Sequence, residues 1–182
     1  MYQDWIKPYF RSKKTMNTIK SIVQELELAP HPEGGYYKET YRSKGMVSQK
    51  ELGDAYDGAR NFSTSIYFLL TSESFSAFHK IEQDEQWHFY LGSPIKLHVI
   101  APDGTYWNQA IGNDLAKGEV PQYLVPGNHW FATEVPEADS FALAGCTVAP
   151  GFDFKDFIMP SRVALTKLFP QHAAIIKRLT RQ

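Results

Sequence analysis

The stretch FHKIEQDEQWHFYLG, from Phe78 to Gly92, holds two histidines and three acidic residues. Imidazole and carboxylate groups can together bind a metal ion, because both are common ligands of transition metals. The same groups can act as an acid–base pair, since a neighbouring carboxylate orients a histidine and stabilises its protonated form. They can also form the polar rim of a ligand pocket. Which chemistry applies depends on which of these side chains share a face.

Strand alternation predicts which of these side chains are neighbours. The apolar runs before and after the acidic turn EQDE read as two strands, in which side chains two positions apart lie on the same face. His79 then shares a face with Ile81, and Glu85 shares a face with Trp87. A hairpin turn at EQDE would place Glu85 opposite His79, where facing Cβ atoms lie about 5 Å apart. His79 and Glu85 are therefore the predicted pair, and His88 is predicted to point away from it.

Short strands make up most of the chain around this pair. Runs rich in apolar and aromatic residues follow one another at a spacing of roughly 10 residues and are bounded by turns such as PDG and PGN, a pattern typical of an antiparallel sandwich or barrel. The nine runs are YYKETYR, SIYFLL, FSAFHKI, QWHFYL, IKLHVI, YWNQAI, VPQYLV, HWFATEV and SFALAGCTV. No helical pattern separates them, which argues against a parallel sheet with crossover helices.

Helical periodicity occurs at the two ends of this strand-rich region. The segment NTIKSIVQELEL has apolar residues at helical spacing and predicts one helix over residues 17–28. The segments SRVALTKLF and PQHAAIIKRLT predict two short helices within residues 160–180. We expect Ser161 to be the N-cap of the first and Pro170 to lie in the first turn of the second.

Length and composition fit one globular domain. The chain has 182 residues, of which 43% are hydrophobic and 21% are charged, close to the averages of globular proteins. The aromatic share of 14% suits a sheet-rich protein, because aromatic side chains pack well on pleated surfaces. We expect an N-terminal extension over residues 1–15 and a single domain over residues 16–182, whose barrel occupies residues 29–152.

Charge and composition argue against several classes of partner. The net charge is -1 and no Lys/Arg cluster is interleaved with aromatic residues, so we expect no nucleic-acid partner. No apolar run approaches the roughly 20 residues of a membrane span, and the N-terminus lacks the apolar core of a signal peptide, so we expect no membrane association. The single cysteine, Cys146, excludes an intramolecular disulfide and suits a reducing compartment. We therefore expect a cytoplasmic protein.

Several segments resemble the motifs of one known family. The stretch FHKIEQDEQWHFYLG resembles the first cupin motif, with His79 at its first histidine, Glu85 at its glutamate and Gly92 at its closing glycine. The stretch GEVPQYLVPGNHWF resembles a degraded second cupin motif. Together with HPEGGYYKETYRS, SIYFLL and GCTVAPGFDFKDF, these segments resemble the small cupin-five family over about residues 17–169.

This resemblance implies both a fold and a chemistry. The fold is all-β, a double-stranded β-helix (a jelly-roll cupin barrel) with a short N-terminal helix and short C-terminal helices, and such barrels hold a small molecule in their mouth. Members are often labelled predicted sugar epimerases by analogy with dTDP-sugar 3,5-epimerases. In those enzymes a barrel histidine removes the proton next to a sugar carbonyl, an acidic group holds the histidine, and a tyrosine returns a proton. The resemblance thus implies His79 as base and Glu85 as its partner, with Tyr37, Tyr67 and Tyr90 as candidate donors.

Departures from the two motifs bear on metal binding. A metal-binding cupin offers three histidines and a glutamate, but here Ile81 stands at the second histidine position and Phe131 at the third. The pair His79 and Glu85 alone provides fewer than the three protein ligands typical of catalytic metal sites. We expect no cofactor. The alternative is a divalent metal held by this pair together with two other histidines predicted on strands, His98 and His129.

Other side chains on the predicted strands are candidates for ligand binding. Arg42 could pair with a phosphate or carboxylate, while strand parity predicts that Arg42 and Glu39 face opposite sides. Two tryptophans could stack on a ring of the ligand, and their alternative role is core packing. The candidate ligand-binding residues are Arg42, Tyr67, Trp87, His98 and Trp130.

Three functions therefore remain open. The first is an isomerase-like or epimerase-like enzyme that acts on a carbonyl or sugar-nucleotide type substrate with His79 and Glu85. The second is a non-catalytic small-ligand binding protein, and the third is a metal-dependent cupin enzyme. For each of them we expect a homodimer or larger homo-oligomer, because pairing covers an edge strand that would otherwise invite aggregation.

Overall fold

The computed structural model describes residues 19–181, so the predicted extension over residues 1–15 lies outside the described residues. Two antiparallel sheets form the body of this region. The larger sheet has, in spatial order, β1 (Ala29–Pro30), β2 (Tyr36–Arg42), β5 (Thr64–Thr71), β12 (Phe141–Ala149), β7 (Asp84–Gly92) and β10 (Gln122–Val125). The smaller sheet has β6 (Phe75–His79), β11 (Trp130–Glu134), β8 (Ile95–Ile100) and β9 (Tyr106–Ile111). A short ribbon pairs β3 (Met46–Val47) with β4 (Arg60–Asn61).

Short helices lie before and after the strands. The α-helices are α1 (Ile19–Glu25), α2 (Gln49–Leu52), α3 (Arg162–Leu168) and α4 (Ala173–Arg178), and 3-10 helices span Leu115–Lys117, Phe154–Asp156 and Pro170–His172. Ser161 caps α3 as predicted, because its side-chain oxygen accepts from the backbone N–H of Ala164 at 3.2 Å. Pro170 begins the 3-10 helix that leads into α4.

The main hydrophobic core lies between the inner faces of the two sheets. Alternate residues of each strand point into it, as the period of two requires. Its largest members are Phe68 and Trp87 from the larger sheet and Leu97, Val99 and Phe131 from the smaller sheet. A second core lies on the outer face of the smaller sheet under α3 and α4, and a third lies on the outer face of the larger sheet under α1. The result is a sheet sandwich covered by helices on both sides.

All nine predicted strands are present, and the all-β jelly-roll class with short helices at both ends is confirmed. The two-residue strands β1, β3 and β4 were not predicted, because so short a pairing leaves no alternation in the sequence. Among residues 19–181, no helix has the length and apolarity that a bilayer crossing requires.

The predicted hairpin between β6 and β7 is wrong. β6 pairs with β11 in the smaller sheet, whereas β7 pairs with β12 and β10 in the larger sheet. The turn EQDE therefore carries the chain from one sheet to the other. His79 and Glu85 approach each other across the space between the sheets, since each lies on the inner face of its own strand.

Candidate functional site

A cavity of about 310 Å³ lies between the inner faces of the two sheets. Most of its wall is apolar. The apolar wall residues on or next to strands are Tyr37, Ile66, Phe68, Ile81, Trp87 and Val148. Segment 152–157, which follows β12, adds the aromatic side chains of Phe152, Phe154 and Phe157. A concave, mostly apolar cavity with a few polar groups is the usual form of a small-molecule site.

Three side chains that can exchange a proton lie together at the buried end of this cavity. They are Glu33, His79 and Glu85, which are 5%, 2% and 8% exposed. Glu33 comes from the loop of residues 31–35, His79 ends β6, and Glu85 lies near the start of β7. Burying such groups costs free energy unless they are neutral or hydrogen-bonded, so their protonation states depend on one another.

The contacts of His79 define its orientation. Its Nδ1 lies 2.8 Å from the carbonyl oxygen of Ala77, and its Nε2 lies 3.2 Å from Oε2 of Glu33. Burial lowers the pKa of His79, and the nearby charge of Glu85 partly offsets this effect. The sequence predicted Glu85 as the direct partner, but the carboxyl in contact with the ring is that of Glu33. The reason is the loop of residues 31–35, which reaches over the end of β6.

Glu85 is a carboxyl whose acidity is strongly altered by burial. Burial raises its pKa to about 7, while the opposing charge of His79 acts to lower it. The thiol of Cys146 hydrogen-bonds to Glu85, and burial raises the pKa of that thiol well above its ordinary value. A carboxyl with a pKa near 7 can both take and return a proton at neutral pH, which is what general acid–base catalysis requires.

At the exposed end of the cavity, Arg42 is held by other protein groups. It makes two hydrogen bonds to Glu39, at 2.9 and 2.7 Å, and its Nη1 donates to the side-chain oxygen of Asn61 and to the carbonyl oxygen of Phe152. Strand parity predicted opposite faces for Arg42 and Glu39, which is wrong. A bulge between Glu39 and Tyr41 shifts the register and brings both side chains to the same side.

Segment 152–157 is fixed over the cavity by a buried ion pair. Asp156 accepts two hydrogen bonds from Arg60, at 2.7 and 2.5 Å, and one from Gln83 at 2.6 Å. Both charged side chains are 3% exposed. The aromatic side chains of the segment also pack around the ring of His31, which stacks on Phe154 at 6.0 Å between centroids.

The other two candidate metal ligands, His98 and His129, lie away from the cavity. The inward positions of β8 are filled by Leu97 and Val99, so His98 faces outward, where its Nε2 contacts Glu134 at 3.0 Å and its Nδ1 contacts the hydroxyl of Tyr106 at 2.8 Å. His129 precedes β11, and its Nδ1 contacts the carbonyl oxygen of Gly127 at 2.9 Å. The predicted four-residue metal set is therefore not assembled. In the part of the chain that the structure describes, no three His, Cys, Asp or Glu side chains are arranged to hold a metal ion.

Of the aromatic candidates, Tyr37 and Trp87 line the cavity. Tyr67 packs near α1 on the outer face of the larger sheet and contacts Tyr90 edge to face at 6.1 Å, and neither tyrosine lies on the cavity wall. Trp130 belongs to the core under α3 and α4, with the ammonium of Lys80 at 5.5 Å from its ring. Both predictions fail for the same reason, since these residues occupy the outward positions of their strands.

Glu33 and His31 are the site residues that strand patterns did not predict. They lie in the loop HPEGG, which has no period to assign them to a face. The sequence feature that could have indicated this loop is Gly34. Its backbone φ is 122°, which glycine adopts readily and other residues adopt only with strain. A Cβ on Gly34 would lie 2.1 Å from the carbonyl oxygen of Phe75, so the loop packs directly against β6, where His79 lies.

Comparisons with known proteins give relatives of this chain. Residues 20–160 match the Cupin_5 family, described as cupin superfamily (DUF985). The uncharacterized protein YML079W of Saccharomyces cerevisiae is 33% identical over 149 residues, which cover 77% of this chain and 74% of the yeast protein. A hypothetical protein from Leishmania major superposes with a TM-score of 0.83 at 37% identity, covering 91% of this chain and 100% of that chain. Protein SO0799 from Shewanella oneidensis gives a TM-score of 0.81 at 39% identity, with coverages of 91% and 99%.

A more distant likeness shows the fold alone. Oxalate decarboxylase from Bacillus subtilis is 14% identical with a TM-score of 0.50 over 82% of this chain and 36% of the enzyme. The family match covers most of the chain, and the barrel, the motif positions of His79 and Glu85 and the relatives agree with it. The chain therefore belongs to the cupin superfamily, in its cupin-five family.

Proposed function

We propose that this cupin binds a small uncharged carbonyl compound in its barrel and moves a proton on the carbon next to the carbonyl, as isomerases and epimerases do. The observation that carries the proposal is the buried carboxyl of Glu85, with a pKa of about 7, beside His79 in an otherwise apolar cavity. A general base is most effective when its pKa lies near the working pH, and removal of a proton next to a carbonyl also needs a group that stabilises the charge on oxygen.

Glu85 is assigned the base in this proposal. Its carboxylate has lone pairs available to the cavity, because the hydrogen bond from Cys146 occupies only part of its acceptor capacity. His79 is less suited to that role, since its Nδ1 and Nε2 are both engaged, with Ala77 and Glu33. His79 instead holds the carboxyl of Glu33 in place at the cavity wall.

The charges of the wall favour an uncharged ligand over a sugar nucleotide. Of the described residues that line the cavity, four are carboxyls, and Arg42 is the only permanent cation. That cation is already paired with Glu39. A diphosphate would meet carboxylates without a free cation to neutralise it, whereas binding sites for phosphate use arginine forks and backbone N–H groups. A volume of about 310 Å³ also lies at the small end of the range for ligand pockets.

Proton exchange in D₂O tests the proposal directly. The purified protein is incubated with a panel of uncharged aldoses, ketoses and hydroxyketones, and with sugar nucleotides, while ¹H NMR follows the signal of the proton next to each carbonyl. We expect enzyme-dependent loss of that signal for an uncharged member of the panel. Glu85→Gln should slow the exchange at least about 100-fold, the usual contribution of a general base. His129→Gln, a histidine outside the cavity, should leave the rate unchanged.

Two results would favour the other functions. Ligands that raise the melting temperature without exchanging a proton would indicate a non-catalytic binding protein. One feature suits that role: among the described residues, the buried indole N–H of Trp87, which lines the cavity, finds no hydrogen-bond acceptor. Exchange that appears only on addition of a divalent metal ion would indicate a metal-dependent enzyme.

A further inference from the structure

The carboxyl of Glu33 has unusual neighbours for a carboxylate. Its Oε1 accepts a hydrogen bond from the hydroxyl of Ser76 at 2.8 Å. Its Oε2 lies 3.2 Å from Nε2 of His79 and 3.4 Å from Nδ1 of His31. Glu33, His31 and His79 all line the cavity.

Both ring nitrogens that face Oε2 are acceptors when the His79 ring is neutral. The Nδ1 of His79 contacts the carbonyl oxygen of Ala77, which can only accept, so the ring hydrogen is on Nδ1 and Nε2 of the neutral ring carries a lone pair. The Nδ1 of His31 accepts from the backbone N–H of Glu33 at 3.4 Å, so it too carries a lone pair. An ionised carboxylate would therefore place its own lone pairs against those of two nitrogens.

A proton on Oε2 removes this conflict. The hydroxyl of a neutral Glu33 then donates to Nε2 of His79, while Oε1 still accepts from Ser76. Burial raises the pKa of Glu33 and lowers that of His79, which favours the same neutral pair over an imidazolium and a carboxylate. Burial is opposed by three groups that act to lower the pKa of Glu33: the charge of His31, the hydrogen bond from Ser76 and the charge of Arg181, which donates to the backbone carbonyl of Glu33 at 2.9 Å. Glu85 faces His79 from the opposite sheet.

We propose that Glu33 is a neutral carboxylic acid and the proton donor of the site, opposite the base Glu85. The donor role rests on the proposed function; the protonation state does not. In the reaction, the Glu85 carboxylate takes the proton from the carbon next to the carbonyl, and the electrons of that C–H bond form a C=C bond. The carbonyl oxygen takes the Oε2 proton of Glu33, which becomes a carboxylate. The enol then returns its O–H proton to Glu33, and carbon regains a proton from Glu85.

Infrared spectroscopy tests the protonation state without any substrate. At a pH well above the pKa of Glu85, the wild-type protein should show the carbonyl band of a protonated carboxyl, and the band should shift in D₂O. Glu33→Gln should remove the band, and Glu85→Gln should leave it. The matched control is Glu134→Gln, because Glu134 also contacts a histidine but lies outside the cavity and has a lowered pKa. A spectrum without the band, or a band that survives in Glu33→Gln, would overturn the proposal.

A second measurement on the unmutated protein keeps the proposal falsifiable if a variant misfolds. ¹⁵N NMR should show His79 as the neutral tautomer with its hydrogen on Nδ1, and an imidazolium at neutral pH would overturn the assignment. Glu33→Gln should fold, because an amide offers the same donor to His79 and the same acceptor to Ser76. A neutral amide cannot give up a proton, so this variant should lose at least about 100-fold of the exchange rate while still binding the ligand.

The two proposals fail in different ways. If no compound of the panel exchanges a proton, the proposed function is wrong, whereas the infrared and NMR results still decide whether Glu33 is neutral. If the wild-type protein exchanges and Glu33→Gln keeps the full rate, Glu33 is not the donor although the proposed function stands.

Discussion

At the scale of single residues, Glu85 couples the chemistry of the cavity to the stability of the fold. Burial raises its pKa from 4.5 to about 7, so the folded protein binds this proton more tightly than the unfolded chain does. The stability that follows from this difference is fully present below about pH 4.5 and is lost as the pH rises through about 7. A residue suited to proton transfer near neutral pH thus makes the fold less stable there.

Glu85→Gln should remove this pH dependence, because an amide does not ionise. A change of one pKa unit corresponds to about 1.4 kcal/mol, so the free energy of unfolding of the variant should rise relative to wild type by roughly 3 kcal/mol between about pH 4.5 and pH 8. Urea unfolding at a series of pH values measures this difference. Glu51→Gln is the control: hydrogen bonds to Ser48 lower the pKa of that exposed carboxyl, so its difference from wild type should stay constant above about pH 5. A flat difference for Glu85→Gln would show that Glu85 is not buried in solution.

Ile81 is one of the two residues, with Phe131, that stand where a metal-binding cupin has histidines. It lines the cavity with His79 and Glu85 and stands where the first cupin motif has its second histidine. We expect Ile81→His to supply a third ligand, so that added nickel or zinc raises the free energy of unfolding by about 3 kcal/mol at roughly 100 times the dissociation constant. Thermal unfolding with and without EDTA measures the effect. Wild type and Ile81→Asn should be insensitive to EDTA, and a wild-type melting temperature that falls in EDTA would mean that the native residues already bind a metal.

At the scale of elements, alternation predicted the strands but not the way they assemble. The period of two predicts that Glu85 and Trp87 point into the barrel and that His88 points away from it. The structure has all three side chains in these orientations. Alternation does not say which sheet a strand joins, which is why it predicts a hairpin of β6 and β7 that the structure does not contain. It also fails where a bulge adds a residue, as between Glu39 and Tyr41.

The choice of face was undetermined where both faces are buried. Strand β8 has Leu97 and Val99 on the inner face, and His98 and Ile100 on the outer face under the C-terminal helices. Since apolar residues occur on both sides, the sequence alone could not assign His98 to the cavity or away from it. Loop residues carry no period at all, so Glu33, one of the three acid–base side chains, could only be found in the structure.

The ion pair of Asp156 and Arg60 should control the stability of segment 152–157. Replacing Asp156 by Asn leaves the guanidinium of Arg60 buried without its charged partner, which typically costs about 3–5 kcal/mol. Urea unfolding should therefore give a much lower free energy for Asp156→Asn. The control is Asp57→Asn. Asp57 pairs with Lys155 of the same segment at 3.4 Å, but this pair is exposed, so the substitution should change the free energy of unfolding by less than about 0.5 kcal/mol. Equal effects of the two changes would mean that Asp156 is accessible to water.

At the scale of the whole molecule, the strands of the smaller sheet are shared by two cores. Phe131 points into the core between the sheets, whereas its neighbours Trp130 and Ala132 point into the core under α3 and α4. Detaching the C-terminal helices would expose one face of the sheet whose other face forms the cavity. Arg181, three residues beyond α4, also donates to the backbone of Glu33. We therefore expect the helices and the barrel to unfold together.

Two leucines of α3 test this cooperativity. Leu165 is 0% exposed and packs in the core under the helices, whereas Leu168, one turn later, is 61% exposed. Leu165→Ala should lower the global free energy of unfolding by about 2–5 kcal/mol, and Leu168→Ala by less than about 0.5 kcal/mol. Hydrogen exchange then shows which amides lose protection. In Leu165→Ala, the most protected amides of β7 and β12, on the far side of the cavity, should lose as much protection as those of α4. If the loss of protection were confined to α3 and α4, the contacts between the two cores would be too weak to couple them. The C-terminal helices would then be a separate unit that can detach while the barrel and its acid–base site stay folded.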